Sequence, residues 1–133
     1  IVIDNEAGME HVSRMTTHNV DVLLIVTDAS RRGLQAAIRI HELSKNLNVG
    51  VERSYIIINQ VQGEVSEKAL EMIREAGVEL GGVIPQDDTV YEYDFKGEPT
   101  ISLPEDNPVI RAAYEIFEKI LETETASARE RAV

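Results

Sequence analysis

The sequence predicts a doubly wound α/β fold with a mostly parallel sheet. Three observations carry this expectation. Short runs rich in β-branched residues recur along the chain, each too short for a helix and each bounded by polar residues or glycine. Segments with apolar residues at helical spacing stand between them. The longer runs are almost continuously apolar rather than alternating, as strands buried on both faces of a parallel sheet are.

The first run, Ile1 to Asp4, reads as a strand ending in an acid. Glu10 to Asn19 has weak helical character, because Thr16, Thr17 and Asn19 are all poor helix formers. Val20 to Asp28 reads as the second strand. Ser30 then stands where an N-cap would, followed by Leu34, Ala37, Ile38, Ile40, His41 and Leu43 on a helical face. Ser54 to Asn59 is the third expected strand. Ser66 caps the next expected helix, whose inner face is Ala69, Leu70, Met72, Ile73 and Ala76 and whose stop is Gly77. Leu80 to Pro85 is the fourth strand. Gln86 to Asn107 reads as loop, with Pro99 and Pro104 inside it. The last helix is expected to begin at or near Pro108, a residue suited to a first turn. Its apolar stripe is Val109, Ile110, Ala113, Ile116, Phe117, Ile120 and Leu121, and from Thr123 the chain turns polar, as frayed or extended helix.

A chain of 133 residues without an internal repeat or a domain-scale linker reads as part or all of one domain, residues 1–133. The formal charge of −11 argues against nucleic acid and against an anionic membrane surface as direct partners. There is no run of the length that spans a bilayer and no leader of the secretory kind, so a cytoplasmic location is expected. The chain has no cysteine, which excludes a disulfide, a thiolate metal site or a thiol nucleophile within these residues.

Ligands of open α/β sheets bind beyond the carboxyl ends of the strands, which directs attention to Asp4, Asp28, Asn59 and Pro85. An aspartate such as Asp4 can hold hydrated Mg²⁺, which needs few carboxylates. Gly8 lets the backbone approach a phosphate and offer its N–H. The same pair equally serves as a strand-end acid capping a helix beside a turn glycine. The Asn59 amide can match the donor and acceptor of a base edge, with Pro85 and Asp87 walling the same pocket, although Asn and Pro also simply end strands. His11 beside Glu10 is more economically a surface pair than a metal ligand, and His18 and His41 add no ligand spacing. No G-x-x-x-x-G-K-[ST] motif occurs, so the chain lacks the lysine and amide nest that hold a γ-phosphate.

Residues 2–28, VIDNEAGMEHVSRMTTHNVDVLLIVTD, resemble the switch region of the nickel-inserting ATPases that mature carbon monoxide dehydrogenase. Those belong to the deviant-Walker P-loop group, which also includes the nitrogenase iron protein and the division-site and partitioning ATPases. IIINQV resembles that group's strand ending in a base-contacting Asn, and GVIPQDDTVYEYDFKGEPTISLPEDNPV resembles its adenine-side loop and entry to the final helix. The resemblance implies a P-loop NTPase fold of the SIMIBI type lacking its N-terminal phosphate-loop part. It implies ATP and Mg²⁺ as cofactors, with Asp4 as the Mg²⁺-linked switch acid and Gly8 as a γ-phosphate sensor. Asn59, Pro85 and Asp87 would line the adenine pocket. Glu10, His11 and Arg14 would ride on the segment that moves with nucleotide state and face a homodimer partner. The phosphate loop and the C-x-C pair that holds nickel between subunits would lie upstream of Ile1. The client would be carbon monoxide dehydrogenase, and this stretch alone would be inactive.

A partitioning or division-type ATPase shares this fold and base pocket, but its membrane-bound forms favour a basic amphipathic final helix, whereas the one here is acidic. A nitrogenase-iron-protein-like reductase would need cluster-ligating cysteines. A non-enzymatic α/β interaction module is the reading from another class.

Overall fold

A computed structural model describes residues 1–5, 19–46 and 50–132. Three parallel strands, β1 (Val20–Thr27), β2 (Val51–Val61) and β3 (Glu79–Pro85), form one sheet in that order. Helix α1 (Arg31–Asn46) connects β1 to β2, and α2 (Glu67–Glu75) connects β2 to β3. After β3 come α3 (Asp88–Lys96), a 3-10 turn (Thr100–Ser102) and the long α4 (Pro108–Ala132).

The two faces of the sheet have separate cores. Leu23, Ile25, Ile56 and Ile58 meet Leu34 and Ala37 of α1 and Ala69 and Ile73 of α2. On the opposite face Tyr55 and Ile57 meet Ile116 and Ile120 of α4. Alternate residues of the Tyr55–Ile58 run thus enter opposite cores, so all four are buried. This is the double winding expected from the continuous apolar runs.

Helix α4 comes close to the sheet because β3 offers glycine beneath it. Ile57 pairs with Gly82 while Ile56 pairs with Leu80, so Gly81 is an extra residue in the ladder. A Cβ on Gly82 would stand 2.3 Å from Ile116 Cγ1, and one on Gly81 would stand 3.5 Å from Ile120 Cδ1. The amino-terminal end of β2 is tied to the far end of α4 by Arg53–Glu124, at 3.3 Å, and by Arg131–Glu52.

Ile1–Asn5, expected to begin with a strand, carries no strand structure and is exposed throughout. An apolar run becomes a strand only when a neighbour takes up its N–H and C=O groups, and the sheet of the described residues offers Ile1–Asp4 no such neighbour. The loop expected over Gln86–Asn107 is also corrected, since α3 and the 3-10 turn lie within it. Helix α3 is set by its ends: Asp87 caps the first turn, and Gly97 closes the last in the left-handed conformation, φ 71°. It has no buried residue, so it lacks the apolar stripe that would have marked it in the sequence. The polar stretch from Thr123 remains helical to Ala132.

A band of apolar surface lies along α4 and β1. Tyr114, Phe117 and Leu121 recur at heptad spacing on α4 and are exposed, as is Val26 of β1. Val22 and Leu24, on the α4 side of β1, are only half-buried.

Candidate functional site

The carboxyl ends of β1, β2 and β3 lie side by side, and each carries a polar turn. At β1, the Asp28 carboxylate accepts hydrogen bonds from the backbone N–H of Ser30, at 3.0 Å, and from its hydroxyl. These bonds, the hydroxyl first, hold the Asp28 carboxyl below its ordinary range. Ser30 Oγ in turn accepts from Gly33 N–H at 3.0 Å, so the predicted N-cap of α1 is the observed one. A side chain at Gly33 would collide with this turn, because its Cβ would lie 2.3 Å from Asp28 Oδ1 and 2.6 Å from Thr27 Oγ1.

At β2 the ladder with β3 is broken between Ile58 and Val61, with Gln60 in the left-handed region, φ 56°. Core membership shows the consequence. Ile56 and Ile58 face α1 and α2, and Val61 joins the same core although its parity is opposite. Two residues, Asn59 and Gln60, therefore occupy the place of one, as in a β-bulge. A non-glycine residue in this conformation costs on the order of 1–3 kcal/mol and persists only where surrounding structure enforces it. Here Asn59 Oδ1 accepts from Gln60 N–H at 2.9 Å, which orients the amide. Among the described residues, Asn59 Nδ2 has no hydrogen-bond partner. The side chain thus keeps a donor and a second acceptor lone pair, the pair of functions that reads an adenine edge.

At β3, Pro85 pairs with Val61, Gln86 N–H donates to Val61 O at 3.0 Å, and Gln62 Nε2 donates to Gln86 Oε1 at 2.9 Å. Asn59 and Pro85 are thereby set at adjacent strand ends. Asp87 is more heavily engaged. Its Oδ1 accepts from Thr89 N–H at 2.9 Å, Val90 N–H at 3.3 Å and Asn107 Nδ2 at 3.2 Å. These bonds, that from Asn107 first, keep its carboxyl below the ordinary range. In this structure the acid expected to wall the pocket therefore serves as the cap of α3.

Asn107, buried at 7 % exposure, was not singled out in the sequence. Its Oδ1 accepts from Val109 N–H at 2.9 Å, capping α4. An Asn immediately before a Pro-initiated helix was the available signal. The Gln60 bulge left no comparable trace.

Asp4 is exposed and belongs to no strand. Among the described residues no group of three His, Asp or Glu side chains gathers as a metal site. Gly8, Glu10, His11 and Arg14 lie outside the described residues. Also among the described residues, no helix is long and apolar enough to cross a membrane.

No family model matches the chain. It is 46% identical over 121 residues to the uncharacterized ATP-binding protein MJ0685 of Methanocaldococcus jannaschii, covering 91% of this chain and 48% of that protein. It is 34% identical over 97 residues to the carbon monoxide dehydrogenase accessory protein CooC of Rhodospirillum rubrum, covering 73% of this chain and 36% of CooC. The solved MinD cell division protein of Aquifex aeolicus superposes with a TM-score of 0.63 at 20% identity, over 77% of this chain and 44% of MinD. The chain therefore shares the α/β fold of that MinD protein over the superposed residues. The sequence similarities are thus to ATP-binding proteins and to CooC. The chain spans about half the length of the curated relatives it matches.

Proposed function

We propose that this chain is the base-binding and switch portion of a longer P-loop ATPase. The observation that carries the reading is the pairing of Asn59, an amide with an open donor and acceptor, with Pro85 at the neighbouring strand end. Similarity to an ATP-binding protein over nine-tenths of the chain supports it. So does the uncovered apolar band of Val26, Tyr114, Phe117 and Leu121, which suits packing against an upstream part of the same domain.

In this reading ATP binds across the carboxyl edge of the sheet. Asn59 reads the adenine edge, Pro85 forms one wall, and Asp87 holds that wall through the first turn of α3. Mg²⁺, when bound, neutralises the phosphates, and Asp4 is this chain's acid for its hydration shell. Gly8 and the segment bearing Glu10, His11 and Arg14 respond to the γ-phosphate and face a second subunit. The likeness to CooC supports a finer assignment, in which the ATPase works as a homodimer in the cytoplasm. It delivers nickel, held as cargo at an upstream cysteine pair, to carbon monoxide dehydrogenase.

Titration of the full-length polypeptide with ATP tests the general reading, comparing wild type with Asn59→Ala. Loss of two amide hydrogen bonds to the base should weaken ATP binding about tenfold or more. Equal affinity in the two proteins would refute the base-contact role. For the finer assignment, nickel should bind to the dimer in an ATP-dependent way and pass to nickel-free carbon monoxide dehydrogenase. Nickel binding indifferent to ATP would exclude it.

A further inference from the structure

The segment Pro85–Asp87 is held from three directions. Towards β2, Gln86 N–H is bonded to Val61 O at 3.0 Å, on the strand that carries Asn59. Along the chain, Asp87 Oδ1 is bonded to the first turn of α3. From the other side, Asn107 Nδ2 donates to the same Asp87 oxygen across twenty residues of sequence. Asn107 is itself immobilised. It is buried, its own Oδ1 caps α4 at Val109, and its backbone carbonyl accepts from Arg111 N–H at 3.0 Å. Helix α4 lies on β3 at Gly81 and Gly82, upstream of Pro85 on the same strand.

The caps of two helices are therefore bonded to each other, and the joint lies two residues beyond Pro85. Every polar atom of the Asn107 side chain that can reach a partner is used to fix where α3 begins relative to α4. Nothing in capping α4 requires the second bond, since a serine or an aspartate would cap Val109 N–H as well. What the second bond adds is a fixed position for Asp87, and with it for the wall at Pro85 opposite Asn59.

We propose that Asn107 is a positioning residue for nucleotide-base selection: by holding Asp87, it sets the width of the slot between Pro85 and Asn59. This rests on the base-site reading given above. Base discrimination depends on a hydrogen-bonding edge being presented at one distance, so a wall free to shift relaxes selectivity rather than simply weakening binding.

The test alters Asn107 in the full-length polypeptide and is read as the ratio of GTP to ATP dissociation constants. Asn107→Asp keeps the cap on α4 but sets two carboxylates against each other. It should reduce the preference for ATP about tenfold. Asn107→Ser, which caps α4 but is too short to reach Asp87, serves if the single aspartate variant does not fold; it should relax the ratio in the same direction. A merely structural role would lower the melting temperature and shift both constants together, leaving the ratio unchanged. That result overturns the proposal. Wild-type protein that binds ATP and GTP equally would overturn the base-site reading and this inference together. A normal wild-type preference that the Asn107 variants leave unaltered would overturn this inference alone.

Discussion

Asn107 Nδ2 stands 3.2 Å from Asp87 Oδ1 and joins the N-terminal caps of α3 and α4. The bond links two segments that the sequence separates by a proline-containing stretch. It also changes the meaning of Asp87, from a free acid in a pocket to a shared cap.

The contact between Gly82 and Ile116 is expected to govern how α4 seats on the sheet. Gly82→Ala puts a Cβ 2.3 Å from Ile116 Cγ1 and should destabilise the folded protein by about 1–3 kcal/mol through overpacking. Urea midpoints of the full-length polypeptide would register it. Shortening the neighbour with Ile116→Val should recover part of the loss, and an unchanged midpoint in Gly82→Ala would contradict the packing described.

The turn after β1 offers a second check. Gly33→Ala would drive a methyl group into Asp28 Oδ1 and Thr27 Oγ1, so the Asp28–Ser30 turn must open or α1 must shift. Removing only the cap with Ser30→Ala should cost about 1 kcal/mol. Gly33→Ala should cost more than Ser30→Ala in the same thermal melt, and the reverse order would be inconsistent with the crowding.

His41 makes stability depend on pH. It is 5 % exposed, and among the described residues neither ring nitrogen has a hydrogen-bond partner. Burial first, and then the charge of Lys45, lower its pKa from the ordinary 6.5. Below that ordinary value the unfolded chain takes up the proton before the folded one does. The His41 contribution is therefore complete above 6.5 and is lost as pH falls from there through the lowered folded value. Urea midpoints followed from about pH 7.5 down to about pH 5 should fall in wild type and fall less steeply in His41→Leu. Parallel curves would mean that His41 titrates alike in both states.

The ion pairs at the opposite end of the sheet should matter little. Arg131 and Glu52 are both about half exposed, so Arg131→Ala should leave the urea midpoint nearly unchanged, with any difference shrinking at high salt. A larger, salt-insensitive loss would assign the end of α4 a packing role instead.

Much of the architecture was legible because its causes are local. Ser30 and Ser66 announce two helix starts, and each accepts the predicted backbone N–H in the structure. The apolar run of β2 announces burial on both faces, and the two cores confirm it, whereas β1 is buried towards α1 and only half-buried on the other face. Helix α3 was missed because helix prediction reads a buried stripe and α3 buries nothing. Its end signals, Asp87 and Gly97, are weaker than a period. Ile1–Asp4 erred the other way: it has strand composition, but composition cannot supply the neighbour a strand needs.

By itself, the sequence determined the alternation of strands and helices, the caps at Ser30 and Ser66, and the strand ends where a ligand would be met. Those depend on spacing and on side chains bonding to their own backbone. Only the tertiary structure decided that Asn59 sits in a bulge beside a left-handed Gln60, that β3 yields to α4 at Gly82, and that Asp87 is held by Asn107. Each of these is a contact between elements. Its strength comes from removing two distant groups from water into one fixed geometry, and no pattern along a single element records which partner will be there.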